Sequence, residues 1–349
     1  MLMDTKNRRI IGLDFVKGIC IILVVLDHSV IFDSFPVFVG NILRAVFLNG
    51  FFAVSGFVLY QNNQKITQET LTNMLRKRFR SLIIPYISFS ILAVVWHTFL
   101  CVGLGCREIS NSYFGWTLVL RDVFCMLSGL GIGTLWFLPV LFFTYALLVI
   151  TVFAVDSVKS KSVILVIFTI ISAYLAVYLK NSHLEVYFFG MLRKIVEEYT
   201  YMCYRIVNGY SFALFGYLLH MMYSSRRDLT WIAICGFVMM CLFSATLNFG
   251  LTGILLLGSI CALNRDTIRG GWYNPVRFMT YCGEHSLAIT IYHYIFLLPL
   301  EIMILKALGF VGSGWLLFVV NLVSTLLVVQ LLDNIRLTRI LLTGKRLVQ

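Results

Sequence analysis

Charge is what this chain has least of. Of its 349 residues, 13% are Asp, Glu, Lys or Arg and 60% are hydrophobic. A soluble domain carries about 25% charged and about 45–50% apolar residues, so a soluble fold is excluded. Metal-ligand patterns are missing as well: there is no CxxC pair, no HExxH and no His/Cys cluster, and no metal is expected. No small-residue cleavage site follows the first apolar run, although Lys6, Arg8 and Arg9 precede it. The first helix is therefore read as a retained signal-anchor. Internal repeats, low-complexity tracts and the paired broken helices of transporters are absent too. Nor is an appended soluble esterase-like region expected. The expectation is an all-α, polytopic integral membrane protein, a single domain over 1–349.

What is there is a series of apolar runs that approach the roughly 20 residues needed to cross a bilayer. Ten spans are read, at 10–32, 38–60, 81–103, 132–155, 162–179, 206–223, 230–248, 249–264, 279–300 and 312–333. A tight turn at Asn248–Gly250 has to separate the seventh from the eighth. The net charge of +12 is distributed by side. Nineteen Lys and Arg fall on the side of the N-terminus, seven on the other, and only Lys17 and Arg44 lie inside spans. That asymmetry is the positive-inside pattern, so both termini are placed in the cytoplasm and nucleic acid is not needed to explain the charge.

The first hydrophobic stretch holds the most informative residues. Lys17 and His28 are eleven positions apart, which brings them within about 20° of one face of a helix, with Asp14 about 40° from His28. Ionisable groups in a spanning helix cost about 2.5–3.5 kcal/mol each, and they usually face a protein interior or a wet cavity. A buried Asp14–Lys17 ion pair with an incidental His28 is the plainer alternative. Arg44, mid-span in the second helix near Asn41 and Asn49, needs a partner on the same grounds. The cytoplasmic loop before the third span reads Arg76-Lys77-Arg78-Phe79-Arg80. It is either a topology signal that binds acidic lipid heads or a phosphate site, since guanidinium forks chelate phosphate in pairs.

Two outer segments are long. Leu104–Gly133 carries Trp116, Arg121, Asp122 and the run Ser128-Gly129-Leu130-Gly131-Ile132-Gly133, with an apolar piece at 117–130 too short to span. Lys180–Arg205 reads as an amphipathic surface helix. The sequence leaves a Cys101–Cys106 disulfide open. His97, His183 and His220 match no pattern and read as packing, loop or interface residues.

Several short patterns then coincide in order. The chain resembles the acyltransferase 3 family of bacterial integral-membrane O-acyltransferases. A basic residue, ten intervening residues and a histidine, preceded by an acid, are matched by Asp14, Lys17 and His28. A Phe-Phe-x-x-Ser-Gly pattern is matched by Phe51 to Gly56, with Ser55 as its hydroxyl. A basic run with proline is matched by Arg78, Arg80 and Pro85, and a tryptophan motif by Leu135-Trp136-Phe137-Leu138-Pro139. A late Gly-x-x-Ser with a histidine seven residues on is matched by Gly283, Ser286 and His293. The chain departs from the pattern in having Lys17 where arginine is frequent and Thr290 where tyrosine is usual.

The resemblance implies transfer of an acyl group, usually acetyl, from cytosolic acetyl-CoA to a hydroxyl of a cell-envelope glycan or lipid-linked sugar at a bacterial inner membrane. On that implication His28 is the general base, with Asp14 and Lys17 orienting the donor. Arg76, Arg78, Arg80 and Trp136 would hold the CoA, and Arg44, Ser55 and His293 the acceptor. The competing class is a non-enzymatic lipid-linked glycan flippase, in which His28 couples protons. A structural partner of a polysaccharide synthase stands third.

Overall fold

The computed structural model describes residues 10–61, 66–107, 109, 113–224, 246–263, 274–310 and 313–335. Among them the chain is all-α. The helices are α1 (Ile11–His28), α2 (Val37–Gln61), α3 (Gln68–Thr98), α4 (Trp116–Ser128), α5 (Phe137–Val155), α6 (Lys161–Asn181) and α7 (Gly190–Ser224). They continue with α8 (Thr246–Ala262), α9 (Pro275–Glu284), α10 (Ser286–Tyr292), α11 (Leu298–Ala307) and α12 (Gly314–Asp333). Six stretches among the described residues are long and apolar enough to cross a membrane: Val37–Tyr60, Gln68–Gly103, Trp116–Val155, Lys161–Asn181, Ser286–Ala307 and Gly314–Leu332. Their outward faces are apolar. On α12, Val319, Val323, Leu327 and Leu331 are exposed at every fourth position, one stripe of a 3.6-residue helix. On α3, Ile84, Ile87, Ile91 and Val95, spaced three or four apart, form a similar exposed stripe. Apolar stripes of this length facing outward fit hydrocarbon, not water.

The boundaries differ from the sequence expectation in four places. The third helix starts thirteen residues early, so Arg76 to Arg80 are helical, not loop. The cause is local: Thr67 Oγ1 accepts from the Thr70 amide at 3.2 Å, and Leu71, Met74 and Leu75 give the added turns a half-buried face. The expected surface helix after Lys180 is one rod with the following span, because α7 runs unbroken through Arg205. The turn expected at Asn248–Gly250 is absent, since α8 passes straight through it. The expected span 279–300 breaks at His285, between α9 and α10. The expected span 230–248 falls mostly outside the described residues. No disulfide joins Cys101 and Cys106.

The contacts group into two compact units. The first holds Met1–Cys20, Ile42–Leu75 and Phe143–Glu284; the second holds Ile21–Asn41, Arg76–Phe142 and His285–Gln349.

Small residues decide the packing of the first unit. A Cβ added at Gly56 would lie 1.8 Å from the Ala213 carbonyl oxygen, and one at Gly216 would lie 1.9 Å from the Ala53 carbonyl oxygen. The two helices thus exchange Ala-x-x-Gly steps, Ala53 to Gly56 on α2 and Ala213 to Gly216 on α7, and their backbones touch. Without a hydrophobic drive between helices in lipid, such close backbone approach supplies the association. Valine at Gly216 therefore drives the helices apart, and folded protein is lost from detergent extracts when monitored by size-exclusion chromatography. Gly258, whose Cβ would meet nothing within 4 Å, is the matched control and accepts alanine.

Candidate active site

His28 is the last residue of α1 and is half-buried. In the second unit its ring lies 4.3 Å from the ring of Tyr294 and 5.3 Å from that of His293, centroid to centroid. The helix ends sharply there. Val30 takes φ 62°, a left-handed conformation that a β-branched residue adopts only under constraint. The constraint is visible next door, where the buried Ser29 hydroxyl donates to the Val25 carbonyl at 2.9 Å. Gly314 of α12 presses on the Ser29 carbonyl, which a Cβ would meet at 2.9 Å.

His293 is fully buried and begins a π-helical turn, His293–Leu297, between α10 and α11. A π turn frees backbone groups from the regular ladder, and such turns cluster at functional sites. Here the surrounding carbonyls are taken up by side chains. Thr134 Oγ1 donates to the Thr290 carbonyl at 2.7 Å, and Asn321 Nδ2 donates to the His293 carbonyl at 2.9 Å. Asn321 Nδ2 also donates to the buried Glu301 carboxylate at 2.7 Å, and Ser324 Oγ donates to the other Glu301 oxygen. The imidazole itself is fixed by Nδ1, which donates to the Ile289 carbonyl at 2.7 Å. In the neutral ring that tautomer leaves Nε2 as a bare acceptor. Nε2 is buried and has no hydrogen-bond partner among the described residues.

Tyr294 is held from the other side by the glycine-rich run. Gly131 and Gly133 both have positive φ, and a Cβ at Gly133 would come within 2.9 Å of the Tyr294 ring. Only glycine lets that loop lie against the tyrosine. Arg121 Nη1 approaches Asp122 Oδ1 at 3.4 Å, and the other Asp122 oxygen accepts from His97 Nδ1 at 2.6 Å. Asp122 is completely buried and His97 nearly so. The sequence did not single out this His97–Asp122–Arg121 cluster. His97 and Asp122 lie on different helices, and their only signal was that each is ionisable within or beside an apolar run.

Residues 10–333 match the family model of the acyltransferase 3 domain, described as an acyltransferase domain. The chain belongs to the acyltransferase 3 family. It is accordingly a multi-pass membrane acyltransferase. No curated protein and no solved structure matches it.

The other expected site residues of this acyltransferase are placed as follows. In the first unit, Lys17 Nζ lies 2.5 Å from the buried Asp14 carboxylate, so the ion pair is made within one turn of α1. The same stretch packs on α9 backbone to backbone. A Cβ at Gly18 would fall 1.8 Å from the Met279 carbonyl oxygen, and one at Gly283 would fall 1.7 Å from that of Asp14. The glycine of the late motif thus seats against the residue that carries the acid of the first. Ser55 spends its hydroxyl on the Phe51 carbonyl of its own helix at 3.0 Å, beside the Gly56 crossing. Arg44 is an exposed residue of α2. Arg76 and Arg80 are exposed and one turn apart on α3, whereas Arg78, half-buried, points about 160–200° away from both. Trp136 is half-buried at the end of a short 3-10 turn, Gly133–Trp136, edge-on to Phe137 at 5.9 Å. The glycine run folds back onto it, since a Cβ at Gly131 would meet the Trp136 backbone at 2.3 Å.

Proposed function

We propose that this acyltransferase moves an acyl group, acetyl in the first instance, from cytosolic acyl-CoA to a hydroxyl of a cell-envelope glycan or lipid-linked sugar, in the inner membrane of a bacterium. The observation that carries the reading is the family match over almost the whole chain. It is supported by the cluster of His28, His293 and Tyr294, which brings two imidazoles and a phenol ring together. The flippase alternative has no comparable support.

A sugar hydroxyl is a weak nucleophile until a base shares its proton, and general-base help of this kind accelerates transfer about 10²–10⁴-fold. His28 takes that role, with His293 directly behind it. Within α1, Lys17 and His28 are about 16 Å apart along the helix axis, a span that an extended pantetheine arm can bridge. Lys17 then carries charge toward the donor, and Asp14 holds its ammonium in place. Trp136 packs against the donor arm. The phosphates of CoA are gripped by Arg76 and Arg80, which share a face; Arg78, on the opposite face, contributes less.

The direct test is transfer of labelled acetyl from acetyl-CoA in membranes containing the protein, with endogenous glycolipid and polysaccharide present. Label enters the glycan fraction with wild type and not in membranes lacking it. In the same assay, the Arg76→Ala/Arg80→Ala double variant raises KM for acetyl-CoA about tenfold or more, the loss expected for two charge-assisted phosphate contacts. Arg78→Ala changes it less. Equal effects of all three positions would remove the shared face as the phosphate grip.

A further inference from the structure

Resting on that reading, we propose that the reaction proton is held by two imidazoles, not one: His28 takes it from the acceptor hydroxyl and passes it to Nε2 of His293.

The bond changes balance as follows. The acceptor O–H bond breaks as its oxygen bonds to the acyl carbon, and one nitrogen of His28 receives the proton. The other nitrogen of His28 delivers a proton to His293 Nε2. The acyl C–S bond breaks, leaving CoA as a thiolate. Reversal of the two transfers then protonates the thiolate, both histidines return to neutral, and the products are the acyl ester and free CoA thiol. No oxidant, metal or further reactant is needed.

Three observations carry this. The first is the bare Nε2 of His293. A buried acceptor left without a donor costs about 1–3 kcal/mol, and this one is buried, unpartnered and fixed in its tautomer by the 2.7 Å bond from Nδ1 to the Ile289 carbonyl. Its lone pair is therefore permanently available and cannot be relieved by flipping the ring without breaking that bond. The second is proximity, since the centroids of the His28 and His293 rings are 5.3 Å apart with a 41° tilt, a spacing at which ring-edge atoms of the two imidazoles can come within hydrogen-bonding range. The third is support. Thr134 and Asn321 bind the carbonyls around the π turn that presents His293, and Glu301 orients Asn321. Fixing the group that supports a reacting residue to this extent is how a site holds sub-ångström geometry. His28, by contrast, sits half-buried at a helix end with ring contacts on one side, where an acceptor can reach it.

The test is single-turnover acetyl transfer in membranes containing the full-length protein, with labelled acetyl-CoA and the endogenous glycan fraction, run across mixtures of H2O and D2O. A relay moves two protons in the transition state, so the wild-type rate falls along a bowed curve as the deuterium fraction rises. His293→Gln keeps a hydrogen-bonding side chain and cannot hold the proton. It lowers the single-turnover rate about 100-fold, leaves the concentrations of donor and acceptor at half-saturation within twofold, and turns the curve linear. Thermal unfolding of the detergent-purified variant reports separately on folding. A linear curve in wild type overturns the relay whatever the variant does. So does a variant with unchanged rate, or one with raised half-saturation and a curve still bowed, which marks His293 as a binding residue. Wild-type membranes that transfer no label overturn the acyl-transfer reading itself.

Discussion

His28→Ala abolishes acyl transfer while leaving the protein folded. The expected loss is about 10²–10⁴-fold in the chemical step, the contribution of a positioned acid–base group, with the half-saturating concentration of acetyl-CoA little changed. The separation of activity from stability follows from position. His28 is the final residue of α1 and only half-buried, and its contacts are ring to ring with Tyr294 and His293, so truncation leaves a small gap at a helix end. Lys17→Ala is a poorer probe of the same helix, because it removes the cation 2.5 Å from the buried Asp14 carboxylate. A buried charge that loses its partner destabilises the fold in its own right. His28→Gln gives the sharper comparison: the amide still hydrogen-bonds an acceptor hydroxyl, yet it cannot take a proton, so binding persists and transfer does not. Measured as labelled acetyl in the glycan fraction, at matched protein levels in the membrane, wild-type transfer by His28→Ala would remove the base from His28.

Much of the architecture was legible because lipid imposes simple rules. Backbone polar groups must be satisfied within each span, so long apolar runs could only be helices. The all-helical membrane fold followed from composition and run length alone. Boundaries were less legible, for identifiable reasons. Hydropathy detects the part of a helix that faces lipid and not an amphipathic extension, so the turns of α3 from Gln68 to Arg80 were missed, and the surface helix read before Arg205 was not seen to run on into the next span. Their signals were Thr67 as an N-terminal cap and the period of Leu71, Met74 and Leu75. The motif glycines could be found in the sequence but not explained by it. That Gly283 lies against the Asp14 carbonyl is a fact of packing between residues far apart in the chain. The same limit hid the polar cluster of His97, Asp122 and Arg121, since nothing in a single sequence pairs the end of α3 with the middle of α4.

That cluster carries the largest expected stability effect. Asp122 is completely buried, accepts from His97 at 2.6 Å and faces Arg121 at 3.4 Å. Burying a carboxylate is tolerable only while its partners compensate, and removing one member of a buried pair costs about 3–5 kcal/mol because the rest is left uncompensated. Asp122→Ala is therefore expected to lower stability by about that amount, read as the shift in thermal or denaturant unfolding of the detergent-purified protein. Asp122→Asn keeps the shape and can still accept from His97 Nδ1, so its cost is smaller, about 1–3 kcal/mol. The pairing is isolated by a double-mutant cycle. If His97 and Asp122 stabilise the fold through each other, the His97→Ala/Asp122→Ala protein is less destabilised than the sum of the two single variants, by about 0.5–3 kcal/mol. Strict additivity would mean that the two side chains pack independently, and that the 2.6 Å contact contributes nothing of its own. The consequence reaches the candidate site through α4, because the helix that carries Arg121 and Asp122 leads into the glycine run that lies against Tyr294, beside His28. Loss of the Asp122 carboxylate releases Arg121 from its anion. Activity in the Asn variant should then fall further than its stability does, a difference that a purely structural pair would not produce.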